Sequence, residues 1–332
     1  MNEIYRISLE DWKHFTGTLS SSFNVYAPVE KNGFLDYTRI SPENSGDIVY
    51  NRARPASPLK IFFLPVKLNV TVPPAEKKNN IIIGAPSCDV EGLKLLDLIY
   101  LDEKFFDGIY FERRMNTVLI SSDCYETADS CHCVAYDVNP YSEKGCDINL
   151  SADNEYFYLH TCSEKGDRFI NEHIAEHNIA HTVTSLPSSV LKRRNSATRT
   201  LINRTSKLPG NKETADRVKN EGHNAWYRYS SRCVSCGACS AICPTCTCFL
   251  LIDRPEFEKI KQLDTCQYPS FQRVAGGEDP LKELGSRFRN RYMCKFVWKP
   301  ERFGTLACTG CGRCIDACIA GISKNELIME LA

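Results

Sequence analysis

The sequence predicts an α+β chain. An N-terminal mixed α/β domain covers residues 1–205, and a mainly helical, cysteine-rich domain covers residues 222–332. Three observations lead there. The first half alternates short apolar or β-branched runs with stretches of helical periodicity. Two of its runs, 80–85 and 116–121, are continuous and apolar, as strands buried on both faces are. The last hundred residues hold two cysteine runs of equal spacing, separated by a long insert.

The length of 332 residues suits two domains of ordinary size. Apolar residues make up 42% and charged residues 25%, enough for a packed core. The formal net charge is zero, so composition gives no reason to expect nucleic acid as a partner. The N-terminal residues lack a basic region followed by an apolar core, and no apolar stretch is long enough to span a bilayer. Eighteen cysteines are far above average. In a long chain without an export signal, spaced in this way, they point to metal and a reducing cytoplasm rather than to disulfides.

Residues 8–20 read as a first helix, capped by Ser8 and carrying Trp12, Phe15 and Leu19 on one face. Strands are expected at 24–27, 34–40 and 47–50, and in two pieces around Pro65 within 59–72. The strand at 80–85 leads into helical periodicity over 90–100, which places Cys88 in a strand-to-helix loop. The strand at 116–121 ends just before Asp123 and Cys124, and Cys131-His132-Cys133 follows. If the two strands are parallel neighbours, Cys88 and Cys124 meet at their C-terminal ends, where sites in α/β sheets lie. Cys88, Cys124, Cys131 and Cys133 then converge. A third iron–sulfur centre, a zinc site and unligated buried thiols are the readings this allows. His132 is assigned a neighbouring role. A strand is expected at 153–160, a helix at 167–177, and a linker at 186–212; Cys146 and Cys162 read as separate structural thiols.

A helix over 212–229 leads to the first cysteine run, Cys233-Val-Ser-Cys236-Gly-Ala-Cys239-Ser-Ala-Ile-Cys243-Pro. The second reads Cys308-Thr-Gly-Cys311-Gly-Arg-Cys314-Ile-Asp-Ala-Cys318-Ile. This is the spacing of bacterial two-cluster ferredoxins. Two-residue gaps wrap three corners of an iron–sulfur cube, and the fourth cysteine points to the other cluster. The expected sets are Cys233, Cys236, Cys239 and Cys318 for one [4Fe–4S] cluster, and Cys308, Cys311, Cys314 and Cys243 for the other. Zinc needs pairs rather than two matching three-plus-one runs. Ile319 stands where the first run has Pro244. Cys246 and Cys248 add two thiols beside Cys243 and read as packing residues, while Cys266 and Cys294 show no ligand spacing.

The insert contains an expected helix over 281–298 and a basic stretch with interleaved aromatics, Arg287, Arg289, Arg291, Lys295, Lys299 and Arg302. Such a mixture also occurs in nucleic-acid grooves. From Gly222 onward, however, 15 Lys and Arg stand against 11 Asp and Glu. This excess roughly cancels two clusters of about −2 each. Compensation of cluster charge, or docking of an acidic partner, is the simpler account.

Nothing in the chain supplies a reacting centre for a substrate. There is no dinucleotide fingerprint, no phosphate loop and no serine nucleophile elbow. Clusters fully ligated by cysteine have no open position and move electrons one at a time.

The stretch Ser231-Arg-Cys-Val-Ser-Cys-Gly-Ala-Cys, followed by Cys243-Pro-Thr-Cys-Thr-Cys-Phe, resembles the A subunit of anaerobic sulfite reductase. The beta subunit of cytosolic sulfhydrogenases is similar. The likeness extends to the second cysteine run, Cys88-Asp89, residues 96–101 and Cys131-His-Cys133. It implies an iron–sulfur subunit of a cytoplasmic oxidoreductase complex. A flavoprotein subunit oxidising NAD(P)H would deliver electrons, and a catalytic subunit holding siroheme or nickel–iron would take them. Anaerobic sulfite reduction is the first expectation and a NiFe sulfhydrogenase the alternative. A self-sufficient reductase and a nucleic-acid enzyme with structural clusters are the other classes.

Overall fold

The computed structural model describes residues 3–72, 78–175 and 179–332. The first half is built from β1 (Ile4–Ser8), α1 (Leu9–Leu19), β2 (Asn24–Lys31), β3 (Phe34–Arg39), β4 (Lys67–Asn69), β5 (Asn80–Pro86), α2 (Ser87–Tyr100), α3 (Gly108–Met115), β6 (Thr117–Ser122), β7 (Ile148–Ala152), β8 (Tyr156–Thr161), α4 (Glu164–Ile170) and β9 (Ala180–Val183). Eight of these strands form one sheet in the order β3-β2-β5-β6-β7-β8-β1-β9. Its centre, β2-β5-β6-β7, is parallel. Its outer strands are antiparallel. The fold is thus mixed α/β in this half, as expected.

Burial on both faces explains the continuous apolar run of β5. Ile81 and Ile83 join one core with Trp12, Phe15 and Leu19 of α1 and Phe169 of α4. Ile82, between them, turns to the other core, with Leu93 and Leu96 of α2 and Tyr110 of α3. The alternation is the two-residue period of a strand read from both sides. Ser8 caps α1 as expected, accepting from the Asp11 amide at 3.0 Å. The expected strand at 47–50 is replaced by a short 3₁₀ turn, Ser45–Asp47, with one isolated bridge from Ile48 to Val29. Residues 59–62 also form a 3₁₀ turn, and only 67–69 is a strand. The helix expected over 167–177 starts earlier and passes into a π-helical turn at Asn171–Ala175; its end lies outside the described residues.

The expected linker at 186–212 is instead a helix over most of its length, α5 (Ser188–Thr205). Its apolar content is low, but Val190, Ala197 and Leu201 are buried. The decisive inward residue is polar. Arg194 donates from Nε to Asp123 Oδ2 at 2.8 Å and from Nη2 to Asp123 Oδ1 at 3.1 Å. Asn149 and Ser151 complete the shell around the same carboxylate. Asp123 directly precedes Cys124, so this network fixes the chain at the end of β6.

The second half follows as α6 (Asn211–Lys219), α7 (Ala225–Ser230), α8 (Ala238–Ala241), β10 (Phe249–Asp253), β11 (Lys259–Leu263), α9 (Leu284–Met293), α10 (Lys299–Phe303), α11 (Arg313–Asp316) and α12 (Lys324–Glu330). The helix expected over 212–229 is split between α6 and α7. The core here joins Val218, Trp226, Phe288, Tyr292, Leu327 and Ile328. The β10–β11 hairpin pairs with β4 of the first half, with Lys261 opposite Leu68. No helix among the described residues is long and apolar enough to cross a membrane.

The two halves meet backbone to backbone. His132 N donates to Gly310 O at 2.9 Å. A Cβ on Gly310 would lie 2.5 Å from Cys133 Cα, and one on Gly312 would strike the Ser130 carbonyl. Both glycines have positive φ, which L side chains rarely adopt.

Arg194→Met leaves the Asp123 carboxylate buried beside neutral partners only. A loss of about 3–5 kcal/mol in unfolding free energy is expected, partly restored by adding Asp123→Asn; an unchanged denaturation midpoint would contradict the role given to this pair. Gly304→Ala, at φ +63 with open space around it, should cost only about 1 kcal/mol. Gly312→Ala should cost several times that and lower the iron content, as read by thermal melting and iron analysis.

Candidate metal centres

The two cysteine runs fold into the same loop twice. Gly237 (φ 74, ψ −9) and Gly312 (φ 77, ψ −14) occupy equivalent positions before the short helices α8 and α11. Ser235 and Gly310, two residues earlier, both have positive φ. The hydrogen bonds also repeat. Ser240 N donates to Gly237 O and Ile315 N to Gly312 O; Cys243 N donates to Ser240 O and Cys318 N to Ile315 O. The position held by Ser235 in one loop must be glycine in the other, because only the second loop is pressed onto Cys133. Ile319 in place of proline leaves this geometry unchanged. Cys318 Sγ accepts from the Ile322 amide at 3.3 Å.

Cys233, Cys236, Cys239 and Cys318 line one cavity of about 550 Å³, including its open mouth, together with Cys314. These are the four cysteines expected for the first cluster. Cys236 is exposed. Cys88, Cys124, Cys131 and Cys133 line a second cavity of about 340 Å³, whose wall is completed by Gly310 and Cys311. The sheet produces this meeting. β5 and β6 pair in parallel up to Pro86 and Ser122. Cys88 then falls in the first turn of α2, and Cys124 lies two residues beyond β6. The sequence placed Cys88 in a loop; the helix begins one residue earlier.

Cys243 comes to the second run through Thr245 and Lys295. Thr245 Oγ1 and Lys295 Nζ both donate to the carbonyl of Ala307, the residue before Cys308. Lys295 Nζ also donates to Cys243 Sγ at 2.9 Å. Cys311 feels the charges of both Cys243 and Cys314. Cys311, expected in the second set, also walls the N-terminal cavity. Cys131 Sγ points at its carbonyl, at 3.9 Å.

The charges suit anionic clusters. Lys60, Arg291, Lys295, Arg313 and Lys324 are all buried. Of these, Arg313 has a carboxylate partner, Asp89, at 2.8 Å from Nη2 to Oδ2. Lys60 donates to Cys246 O, Arg291 to Cys239 O, and Lys324 to the Tyr136 hydroxyl. Buried cations held by neutral groups alone cost several kcal/mol each; two clusters of roughly −2 each would satisfy them. Ser240 Oγ, Thr309 Oγ1 and Arg291 Nε are buried donors without a partner, and all three belong to the cysteine loops or the helix facing them.

The thiols respond in opposite directions. Burial pushes Cys88 and Cys124 well above the ordinary thiol range, with neighbouring anions adding to it. Burial, with Cys131 close by, pushes Cys133 up to about 12. Thiolates at these three positions need a cation among them. At Cys243 a hydrogen bond from Cys246, with Lys295 adding to it against the effect of burial, holds the thiol well below its usual range. Burial would lower the Lys295 ammonium, but Cys243 and Cys246 outweigh it and hold it high.

Among the described residues no three His, Cys, Asp or Glu side chains close around a point as a single metal ion requires. A zinc ion needs sulfur at about 2.3 Å on all sides; the thiolates of a cube stand further apart. His132 is buried and bonds the Ser130 carbonyl through Nδ1 at 2.7 Å. Cys146 accepts from Ser121 Oγ at 3.1 Å and Cys162 donates to the His160 carbonyl at 3.5 Å. Sequence reasoning passed over Asp89 and Arg313 as a pair and Lys295 as a sulfur partner. The four-residue spacing of Arg287, Arg291, Lys295 and Lys299 was the available signal for the last.

Comparison with known proteins agrees with this geometry. Residues 232–322 match a family described as a 4Fe–4S dicluster domain. Across nearly its whole length the chain is similar to sulfhydrogenase 2 subunit beta of Pyrococcus furiosus, with 27% identity over 98% of this chain and 97% of that protein.

Proposed function

We propose that this chain is the electron-transfer subunit of a cytoplasmic oxidoreductase complex of the sulfhydrogenase type, and that it holds three [4Fe–4S] clusters in a row. One observation carries the reading: Cys311, expected in the second ligand set, also walls the cavity of Cys88, Cys124, Cys131 and Cys133. The sites thereby form one continuous path. Cys233, Cys236, Cys239 and Cys318 would hold the first cluster. Cys243, Cys308, Cys311 and Cys314 would hold the second, and the four N-terminal cysteines the third. When bound, such clusters supply one-electron transfer.

The chain's own residues make the path selective. Gly310 and Gly312 let the second loop lie on residues 130–133 without an intervening side chain. Arg313 fixes Asp89, and with it the turn that carries Cys88. Leu201 of α5 packs on Cys88, Cys133 and Cys311 and keeps water from that junction. Exposed Cys236 gives the first site access to a partner.

The terminal partner is read as a nickel–iron hydrogenase catalytic subunit, with an NAD(P)H-oxidising flavoprotein at the other end. The relative's name favours this over the siroheme sulfite reductase that the motif resemblance put first. The residue ranges 1–205 and 222–332 remain our proposed division of the chain.

Anaerobically purified chain should contain about 12 iron and 12 acid-labile sulfide. Cys88→Ser should remove one EPR-active cluster and spare the other two; about 8 iron in the unaltered chain would remove the third cluster from the proposal. With its partners, the complex should reduce NAD(P)⁺ with hydrogen. The isolated chain should catalyse neither this nor sulfite reduction, and turnover by the chain alone would refute the relay.

A further inference from the structure

Arg287, Arg291, Lys295 and Lys299 recur every four residues along one helical stretch. Three of them follow the first cysteine run in order. Arg291 donates to Cys239 O at 3.0 Å, Lys295 to Cys243 Sγ at 2.9 Å, and Lys299 to Thr245 O at 2.7 Å. The helix is not regular there. Between α9 and α10 it passes through a π-helical turn, Cys294–Trp298, and Lys295, Phe296 and Val297 are buried consecutively. The π-helical turn coincides with this consecutive burial. π-turns of this kind concentrate at functional positions.

Among the described residues, Lys295 is the buried cation that bonds a cysteine sulfur. Arg291 ends on a backbone carbonyl, and Lys324 on a phenol. At the N-terminal cavity Arg54, which lines it, is paired with Asp316, and Asp89 and Asp123, beside Cys88 and Cys124, are each paired with an arginine. At the first cavity Cys236 faces solvent.

We propose that Lys295 raises the reduction potential of the middle cluster, making it easier to reduce than it would be without the ammonium. This rests on the reading of three clusters given above. One-electron reduction adds a negative charge to the cluster and its thiolates. A buried ammonium bonded to one of those thiolates stabilises the reduced form over the oxidised one. The middle position would then hold an electron more readily than the same loop without its ammonium.

The test is a mediated potentiometric titration of the full chain, followed by EPR. Lys295→Met should move one cluster's midpoint to more negative potential and leave the other two in place, with iron content unchanged. Lys295→Arg, which keeps the charge, should shift it less. If the methionine variant does not load iron, Lys295→Gln and Lys295→Arg are compared. A lower midpoint in the glutamine variant supports the proposal, and equal midpoints overturn it. Three clusters in the unaltered chain with all midpoints unmoved in Lys295→Met would refute the role of Lys295 alone. Fewer than three clusters in the unaltered chain would refute the arrangement on which it rests.

Discussion

The contact between Arg313 and Asp89 governs how the two halves of the chain relate. Arg313 lies between two cysteines of the second run, and Asp89 follows Cys88 in the first turn of α2. Both are buried, and the guanidinium also reaches the carbonyls of Pro55 and Ser57. Asp89 takes a further bond from the Leu59 amide. A buried pair of this kind is stable only with its remaining donors and acceptors satisfied. Here the backbone of residues 55–59 does that, so the pair holds three segments at once. Removing either member would strand the other beside the thiols it positions. The glycines at 310 and 312 permit the same approach; the ion pair makes it specific.

The neutral net charge conceals a strong internal separation. Lys60, Arg291, Lys295 and Lys324 gather around the ferredoxin-type loops on neutral groups or sulfur, while at the N-terminal cysteines Asp89 and Asp123 each pair with an arginine and Arg54 pairs with Asp316. In water a charge needs no partner. In the interior its hydration must be replaced, and here neutral carbonyls and a phenol replace it only in part. The arrangement becomes economical when thiolate-bound clusters occupy the loops. Cys243 and Cys88 behave oppositely because at Cys243 a hydrogen bond from Cys246, with Lys295 adding to it, outweighs burial, whereas at Cys88 burial, with Asp89 adding to it, raises the thiol.

Much of this was legible in the sequence, because its cause is local. Loop wrapping around a cube dictates two-residue gaps, so the cysteine runs state their own geometry. β5 and β6 are legible because double burial demands continuous apolar residues. Other features depend on partners far away in the chain. α5 looks like a linker because its inward face uses Arg194, whose partner Asp123 is 71 residues away. The strand at 4–8 is short and half-buried, and exists because β8 and β9 flank it. Residues 47–50 carry the β-branched pattern of a strand, but only Ile48 finds a partner. The cavity of Cys88, Cys124, Cys131 and Cys133 stands between these cases. Each strand end could be read locally, while their parallel pairing is a property of the sheet.

The insert between the two cysteine runs gains its meaning from the same contacts. A simple ferredoxin joins its two loops directly. In this chain, residues 249–307 supply the hairpin that pairs with β4 of the first half and the helix that lays Arg291, Lys295 and Lys299 along the first loop. Lys261 on that hairpin also reaches Asp107, just before α3, at 2.8 Å. One end of the insert therefore grips the α/β half, and the other places positive charge between the ligand sets. Its length follows from having both tasks. A dicluster unit without it would keep its eight cysteines but lose the ammonium on Cys243 and the hairpin's attachment to β4. The loop held by Arg313, Lys60 on Cys246 and Lys324 on Tyr136 would remain.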